Sequence, residues 1–333
     1  MKKITSLLLA AAALSAAFTG CSQVSAQNEN TAGPQENEKI QVVATIFPEY
    51  DWAKNIIGED NERFEVSLLI NSGTDMHSFQ PSADDVMKIA DADIFIYVGG
   101  ESDEWVDDIL RNCPSESRQV INCLDVIGEN AKVEELSEGM QECEEEEEAH
   151  EEDAPEYDEH IWLSLKNASV VCDSIAQAAG SADSTHKDVY EKNLSEYKKK
   201  LSNLDGKYKE AADGAAVNTL MICDRFPFRY LTDDYGIEYY AAFSGCSAET
   251  EASFETVAFL AGKADELGID VLLIIDGSDG RLAETVAKST KTGEKKIVVL
   301  DSMQSVTMDR IENGETYLLI MEHDLEVLKT ALR

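Results

Sequence analysis

Residues 184–212, STHKDVYEKNLSEYKKKLSNLDGKYKEAA, carry Val189, Tyr190, Leu194, Tyr197, Leu201, Leu204 and Tyr208 at spacings mostly of three and four. Side chains so spaced share one face of an α-helix, and the positions between them are charged or polar. Few breakers interrupt the run, which predicts one helix of roughly 25 residues once frayed ends are allowed for. A helix of that length can join two lobes, and the sequence on either side of it supports two.

Before it, short apolar runs alternate with helical patterns. Ile40 to Ile46 reads as a strand, Tyr50 to Ile57 as a helix and Phe64 to Leu69 as a strand. Ala83 to Ala90 is a helix with Ser82 as its N-cap and Asp84 and Asp85 in its first turn, where carboxylates suit the helix dipole. Ile94 to Val98 is a buried strand ending in Gly99-Gly100, Trp105 to Arg111 a helix and Val120 to Asn122 a strand. After the long helix the rhythm resumes. Strands are predicted at Thr219 to Cys223, Tyr239 to Phe243, Val271 to Ile275 and Ile297 to Leu300, and helices at Phe228 to Asp234, Phe254 to Leu267, Leu282 to Thr290 and Tyr317 to Leu332. Strands alternating with helices argue for parallel sheets. The expected fold is α/β, with two lobes (40–183 and 213–333), each a mainly parallel sheet with flanking helices, joined by the helix at 184–212.

The N-terminus reads as a targeting segment. Lys2 and Lys3 precede an apolar stretch, Leu7 to Ala17, that is too short for a permanent membrane helix. Phe18-Thr19-Gly20-Cys21 resembles a bacterial lipobox, so residues 1–21 are expected to be a lipoprotein signal with Cys21 as the lipidated residue; an ordinary signal peptide cut after Ala26 is the alternative. Residues 22–39 are polar and read as a flexible tether. These features predict a protein exported and lipid-anchored to the outer face of the cell membrane, and a monomer is expected. The net charge of −38 repels phosphate backbones and excludes nucleic acid as a partner.

Of seven cysteines, Cys21 is assigned to the anchor. The remaining even set, in an oxidising compartment, is compatible with disulfides. Cys113 with Cys123 is the expected local pair, and Cys223 with Cys246 a staple within the second lobe; free buried thiols remain the alternative for Cys143 and Cys172. No C-x-x-C pair is present, which argues against a zinc ribbon. Residues 130 to 159 are acidic, with Glu144, Glu145, Glu146, Glu147 and Glu148 in succession and His150 after them. Such a block repels itself and is expected to be a solvated loop, with these six residues as possible weak metal contacts.

Only five histidines occur. His77 lies in Asp75-Met76-His77-Ser78-Phe79-Gln80-Pro81-Ser82, after a strand and a turn, and His160 in Tyr157-Asp158-Glu159-His160-Ile161-Trp162-Leu163, after the acidic run. Neutral imidazole is a common transition-metal ligand, and carboxylates complete mixed sites. Asp224, Asp276 and Asp301 fall at carboxyl ends of predicted strands, where open α/β sheets bind ligands. His186 and His323 read as surface residues.

The chain from Ile40 onward resembles the ZnuA/TroA-like solute-binding lipoproteins of bacterial zinc and manganese ABC importers. Met76-His77-Ser78-Phe79-Gln80-Pro81-Ser82, Glu159-His160-Ile161-Trp162-Leu163-Ser164 with Lys166-Asn167-Ala168, Phe228-Arg229-Tyr230 through Tyr235-Gly236, and Ser247-Ala248-Glu249-Thr250-Glu251 carry the resemblance. It implies one metal in the cleft, limited lobe closure, and delivery to an ABC permease with a separate ATPase. It implies His77 and His160 as the first two ligands and Asp301 as a carboxylate from the second lobe. The family's third ligand, a His or Glu, falls on Arg225, whose guanidinium stays protonated and cannot ligate. Asp224 is the substitute if Pro227 shifts the turn; otherwise Asp224 pairs with Arg225 and water finishes a three-residue site. The acidic loop before His160 resembles zinc-type loops, so Zn2+ is expected, with Mn2+ the alternative because an oxygen-rich set also suits it. The rival reading is an exported metallohydrolase, which needs an open metal position and a general base. No H-E-x-x-H, G-x-S-x-G or P-loop motif is present, and an enzyme is not expected. Nothing in the sequence argues for adhesion.

Overall fold

The computed structural model describes residues 39–59, 61–141, 156–247 and 251–332. The first lobe runs β1 (Ile40–Ala44), α1 (Phe47–Ile57), β2 (Phe64–Leu68), α2 (Ala83–Asp91), β3 (Ile94–Tyr97), α3 (Glu104–Asn112), β4 (Gln119–Asn122), α4 (Cys123–Ile127) and α5 (Leu165–Ala182). The linking helix α6 spans Lys187–Asp213, after a 3-10 turn at Ser184–His186. The second lobe runs β5 (Thr219–Phe226), α7 (Arg229–Tyr235), β6 (Glu238–Ser244), α8 (Phe254–Leu267), β7 (Val271–Ile275), α9 (Arg281–Ser289), β8 (Lys296–Leu300), α10 (Met308–Glu312) and α11 (Tyr317–Ala331).

Each lobe holds a four-stranded sheet, ordered β2-β1-β3-β4 and β6-β5-β7-β8, and every pairing is parallel. The expected two-lobed α/β architecture is therefore met. The buried strands β3 (IFIY) and β7 (VLLII) are apolar throughout, as strands covered on both faces must be. Helix starts follow local chemistry. Ser82 accepts from the Asp85 amide while the Asp85 carboxylate accepts from Ser82 N, a reciprocal cap on α2. Pro48 lies in the first turn of α1, where no amide donor is needed, and Glu49 Oε2 accepts from the amides of Thr45 and Ile46.

α5, an 18-residue helix, was absent from the expected elements. Its signal is present: Ser164 caps it by accepting from Asn167 N, and Leu165, Ala168, Val171, Cys172, Ile175 and Ala179 form its buried stripe. The acidic segment also departs from expectation at its two ends. Val133 bridges Tyr157, Glu134 N donates to Glu156 O and Asp158 N to Lys132 O, and Gln141 N donates to Ala242 O of β6, so backbone hydrogen bonds tie residues 132–134 to 156–158 and Gln141 to β6. Glu144 to Glu148, His150 and Cys143 lie outside the described residues, as do residues 1–38.

One continuous apolar core runs through both lobes. It includes Trp52 of α1, Trp162, Tyr197 and Tyr208 of α6, and Tyr317 and Leu325 of α11. The tyrosines on the α6 stripe keep their hydroxyls bonded, Tyr197 to Asp51 of α1 and Tyr208 to Met321 O of α11. Trp52 meets Tyr317 edge-on at 5.2 Å, so the last helix reaches back to the first. A smaller cluster in the second lobe gathers Met221, Cys223, Phe243 and Leu260. Close packing of this kind resists deformation and restrains the lobes against each other.

The expected Cys113–Cys123 and Cys223–Cys246 disulfides are not formed; all four thiols are free. Cys123 is buried against Glu49 Oε1 in the first lobe, and Cys223 is buried in the smaller apolar cluster. Cysteine parity misled here, because packing sets where each sulfur points. No helix among the described residues is long and apolar enough to cross a membrane.

Candidate metal centre

His77 stands on a 3-10 turn, Met76–Ser78, in the connection after β2, and its amide donates to the carboxylate of Asp75 at the turn's N-cap. Its side chain is 10% exposed, with Nδ1 at 2.7 Å from Ser102 Oγ and 3.5 Å from Glu159 Oε2. Ser102 lies just past β3 and donates its amide to Glu159 Oε1 at 2.7 Å. Gly100 makes room for that carboxylate: it has φ +85°, and a Cβ there would lie 2.4 Å from Glu159 Oε1. Only glycine meets both demands easily.

His160 is fully buried. Its Nδ1 is 3.0 Å from Asp158 Oδ1, which also accepts the His160 amide. Asp158 is itself held: its amide donates to Lys132 O, and its carbonyl accepts from Tyr230 Oη. The neighbouring Trp162 donates Nε1–H to Ser302 O of the second lobe at 2.8 Å and accepts from Tyr317 Oη at its carbonyl.

The two Nε2 atoms face each other at 3.2 Å. A carboxylate at Nδ1 places the His160 proton on that nitrogen and leaves the Nε2 lone pair toward His77. Two imidazoles bound to one tetrahedral zinc at about 2.05 Å would hold their donor nitrogens about 3.3 Å apart. The spacing and the backing of Nδ1 by Ser102 and Asp158 both fit a metal-ligating pair. The electrostatics set the two rings apart. Burial, and then the neighbouring His160, push the His77 pKa down to about 3, so its ring is neutral. Burial also disfavours a charged His160, but the Asp158 and Glu159 carboxylates outweigh it and raise its pKa. Burial raises the Glu159 pKa.

The other expected donors go elsewhere. Asp224 Oδ1 accepts from the Arg225 amide, and Arg225 Nη2 reaches Asp75 Oδ2 at 2.7 Å. The β5–β6 pairing is irregular between Ile222 and Arg225, which is where the sequence left the turn open. Asp301 accepts from Met303 N and from Arg310 Nη2 at 2.6 Å. Asp276 accepts from Ser302 and Ser305 and so fixes the loop after β8. Among the described residues, the side chain that joins His77 and His160 is Cys246: ligand atoms of the three all lie within 4.8 Å of one another. Cys246 is partly buried, and burial with the carboxylates of Glu134, Glu159 and Asp158 keeps its thiol protonated. Gln304 also arrives, its Nε2 at 2.9 Å from His160 Nε2 and its Oε1 buried without a partner.

A family model described as zinc-uptake complex component A, periplasmic, matches residues 42–331. The chain belongs to the ZnuA family. Among ZnuA relatives, the zinc-binding lipoprotein AdcA of Streptococcus pneumoniae is 30% identical over 329 residues, covering 99% of this chain and 61% of its own length. The high-affinity zinc uptake system protein ZnuA of Bacillus subtilis is 28% identical over 314 residues, covering 92% of each. The Zn(II)-bound ZnuA-like domain of Streptococcus pneumoniae AdcA superposes with a TM-score of 0.69 at 28% identity, over 89% of this chain and 99% of that one. The chain spans a little over half the length of the streptococcal proteins, 56% for AdcA of Streptococcus pyogenes.

The two histidines singled out from the sequence are brought together here, joined by Cys246 and Gln304, which were not among the expected donors. Signals for both existed: Gly245-Cys246 follows directly on a strand end, and Gln304 is three residues past Asp301 at another.

Proposed function

We propose that this chain is the zinc-capturing receptor of a bacterial ABC importer, a binding protein and not an enzyme. It takes up zinc between the lobes at His77 and His160 and passes it to a membrane permease driven by a separate ATPase. Export with a lipid anchor at Cys21 completes the reading, in keeping with the relative named as a lipoprotein. The observation that carries it is the pair of Nε2 atoms 3.2 Å apart, each imidazole oriented through Nδ1. Nitrogen donors favour zinc, whereas manganese prefers oxygen, and the carboxylates of Asp224 and Asp301 are engaged by other partners.

Each lobe contributes to the centre, and the shared core through α1, α6 and α11 favours small adjustments over wide closure. Release would follow when the permease draws the loops carrying the ligands apart. Calorimetric titration of the metal-stripped protein tests the reading. One zinc bound tightly, with manganese much weaker and zinc lost in His77→Ala, is expected. Equal manganese affinity would move the assignment to a broad-range receptor, and no tight binding of either ion would overturn it.

A further inference from the structure

We infer that Cys246 Sγ is the third zinc ligand, so that the ion is held by two imidazoles and a thiolate from the second lobe. This rests on the zinc-receptor reading and gives its centre a donor set with sulfur.

Four independent observations converge on Cys246. Its sulfur shares a 4.8 Å neighbourhood with ligand nitrogens of both histidines. It is free, and Cys223, its one obvious partner by sequence, is buried in a separate apolar cluster. The turn that delivers it is built for close approach. A Cβ at Gly245 would stand 2.8 Å from His160 Cε1, 3.1 Å from His160 Nδ1 and 3.0 Å from Phe226 O, so only a glycine lets the strand end rest against that ring. Finally, the residue at the third-ligand position expected from sequence is Arg225, and its guanidinium is committed to Asp75.

The fourth position has a candidate in the same cavity. Gln304 holds its carboxamide 2.9 Å from His160 Nε2, and its oxygen has no partner. Half a turn about the last side-chain bond exchanges that nitrogen for the oxygen, which would then face the ion. Met303, next to Gln304, is the one non-glycine residue with positive φ (59°) among those described.

Coordination replaces the S–H bond by a sulfur–metal bond, and the displaced proton leaves to solvent. Zinc accepts such a mixed nitrogen–sulfur set at about 2.0–2.1 Å and 2.3 Å respectively, whereas manganese, magnesium and calcium favour oxygen. A thiolate would therefore exclude those commoner ions from a surface whose negative charge gathers them.

Cobalt(II) titration of the full-length protein, read by absorption spectroscopy, tests this, because a cobalt–thiolate bond adds a near-ultraviolet charge-transfer band to the metal's own visible bands. The expected result is one equivalent of cobalt with that band. In Cys246→Ser the visible bands should persist without it, and zinc should bind at least about 100-fold more weakly, at or beyond the cost of losing an outer-shell partner. Cobalt bound in a His77-dependent manner with no charge-transfer band would overturn the inference and leave the receptor reading standing. A band that survives in Cys246→Ser would also overturn it, since another thiol would be the source. Failure of the unaltered protein to bind either ion would remove the receptor reading itself.

Discussion

Arg225 of the second lobe and Asp75 of the first form an ion pair at 2.7 Å, and the same Asp75 caps the turn that presents His77. The residue at the expected ligand position thus acts at one remove, by fixing the histidine. Burial works against the Asp75 charge, but Arg225 and His77 more than compensate and hold its carboxyl below the usual range. Arg225→Ala should weaken zinc binding by roughly 10-fold, the lower end for an outer-shell partner, while leaving its stoichiometry unchanged. Competition against a chromophoric chelator measures it; unchanged affinity would show the pair to be structural only.

Gly245→Ala should do more than an ordinary surface change. The added methyl meets His160, whose ring is tied to Asp158, and a backbone oxygen, so neither neighbour yields easily. A loss of about 1–3 kcal/mol in stability is expected from such overpacking, with weaker zinc binding. Thermal unfolding with and without zinc separates the two effects. A variant as stable as the parent, with full affinity, would contradict the described contact.

Gln304→Glu should shift selectivity. Replacing a neutral amide by a carboxylate beside His160 adds an oxygen donor with charge, so manganese should gain relative to zinc. Titration with both ions gives the ratio, and an unchanged ratio would place Gln304 outside the coordination shell.

The first lobe also predicts a pH dependence unrelated to metal. Burial raises the pKa of Glu49 and Asp51 to about 7 and that of Asp103 to about 8. Between the ordinary carboxylate range and these values the folded state binds more protons than the unfolded one. Stability should therefore fall as pH rises from about 5 to 8. Glu49→Gln keeps an acceptor for the Thr45 and Ile46 amides and removes one titrating group. It should raise the melting temperature more at pH 8 than at pH 5; an equal change at both would remove Glu49 from the account.

The fold was legible because its elements are local. Buried parallel strands such as Val271 to Ile275 are unbroken apolar runs, and the stripe from Tyr190 to Tyr208 marks the linking helix by spacing alone. α5 is harder to read because its opening residues double as a motif, although Ser164 and the stripe behind it obey the same rules. The site was half legible. His77 and His160 stand out by rarity and setting, but their convergence with Cys246 joins three distant parts of the chain, which periodicity does not report. Asp301 occupies the expected strand end, yet Arg310, nine residues on, takes its carboxylate.

The most direct test is a crystal structure of the zinc complex with anomalous data collected at the zinc edge. One strong peak is expected at about 2.0–2.1 Å from Nε2 of both His77 and His160. A principal peak elsewhere, with the two imidazoles unligated, would contradict it.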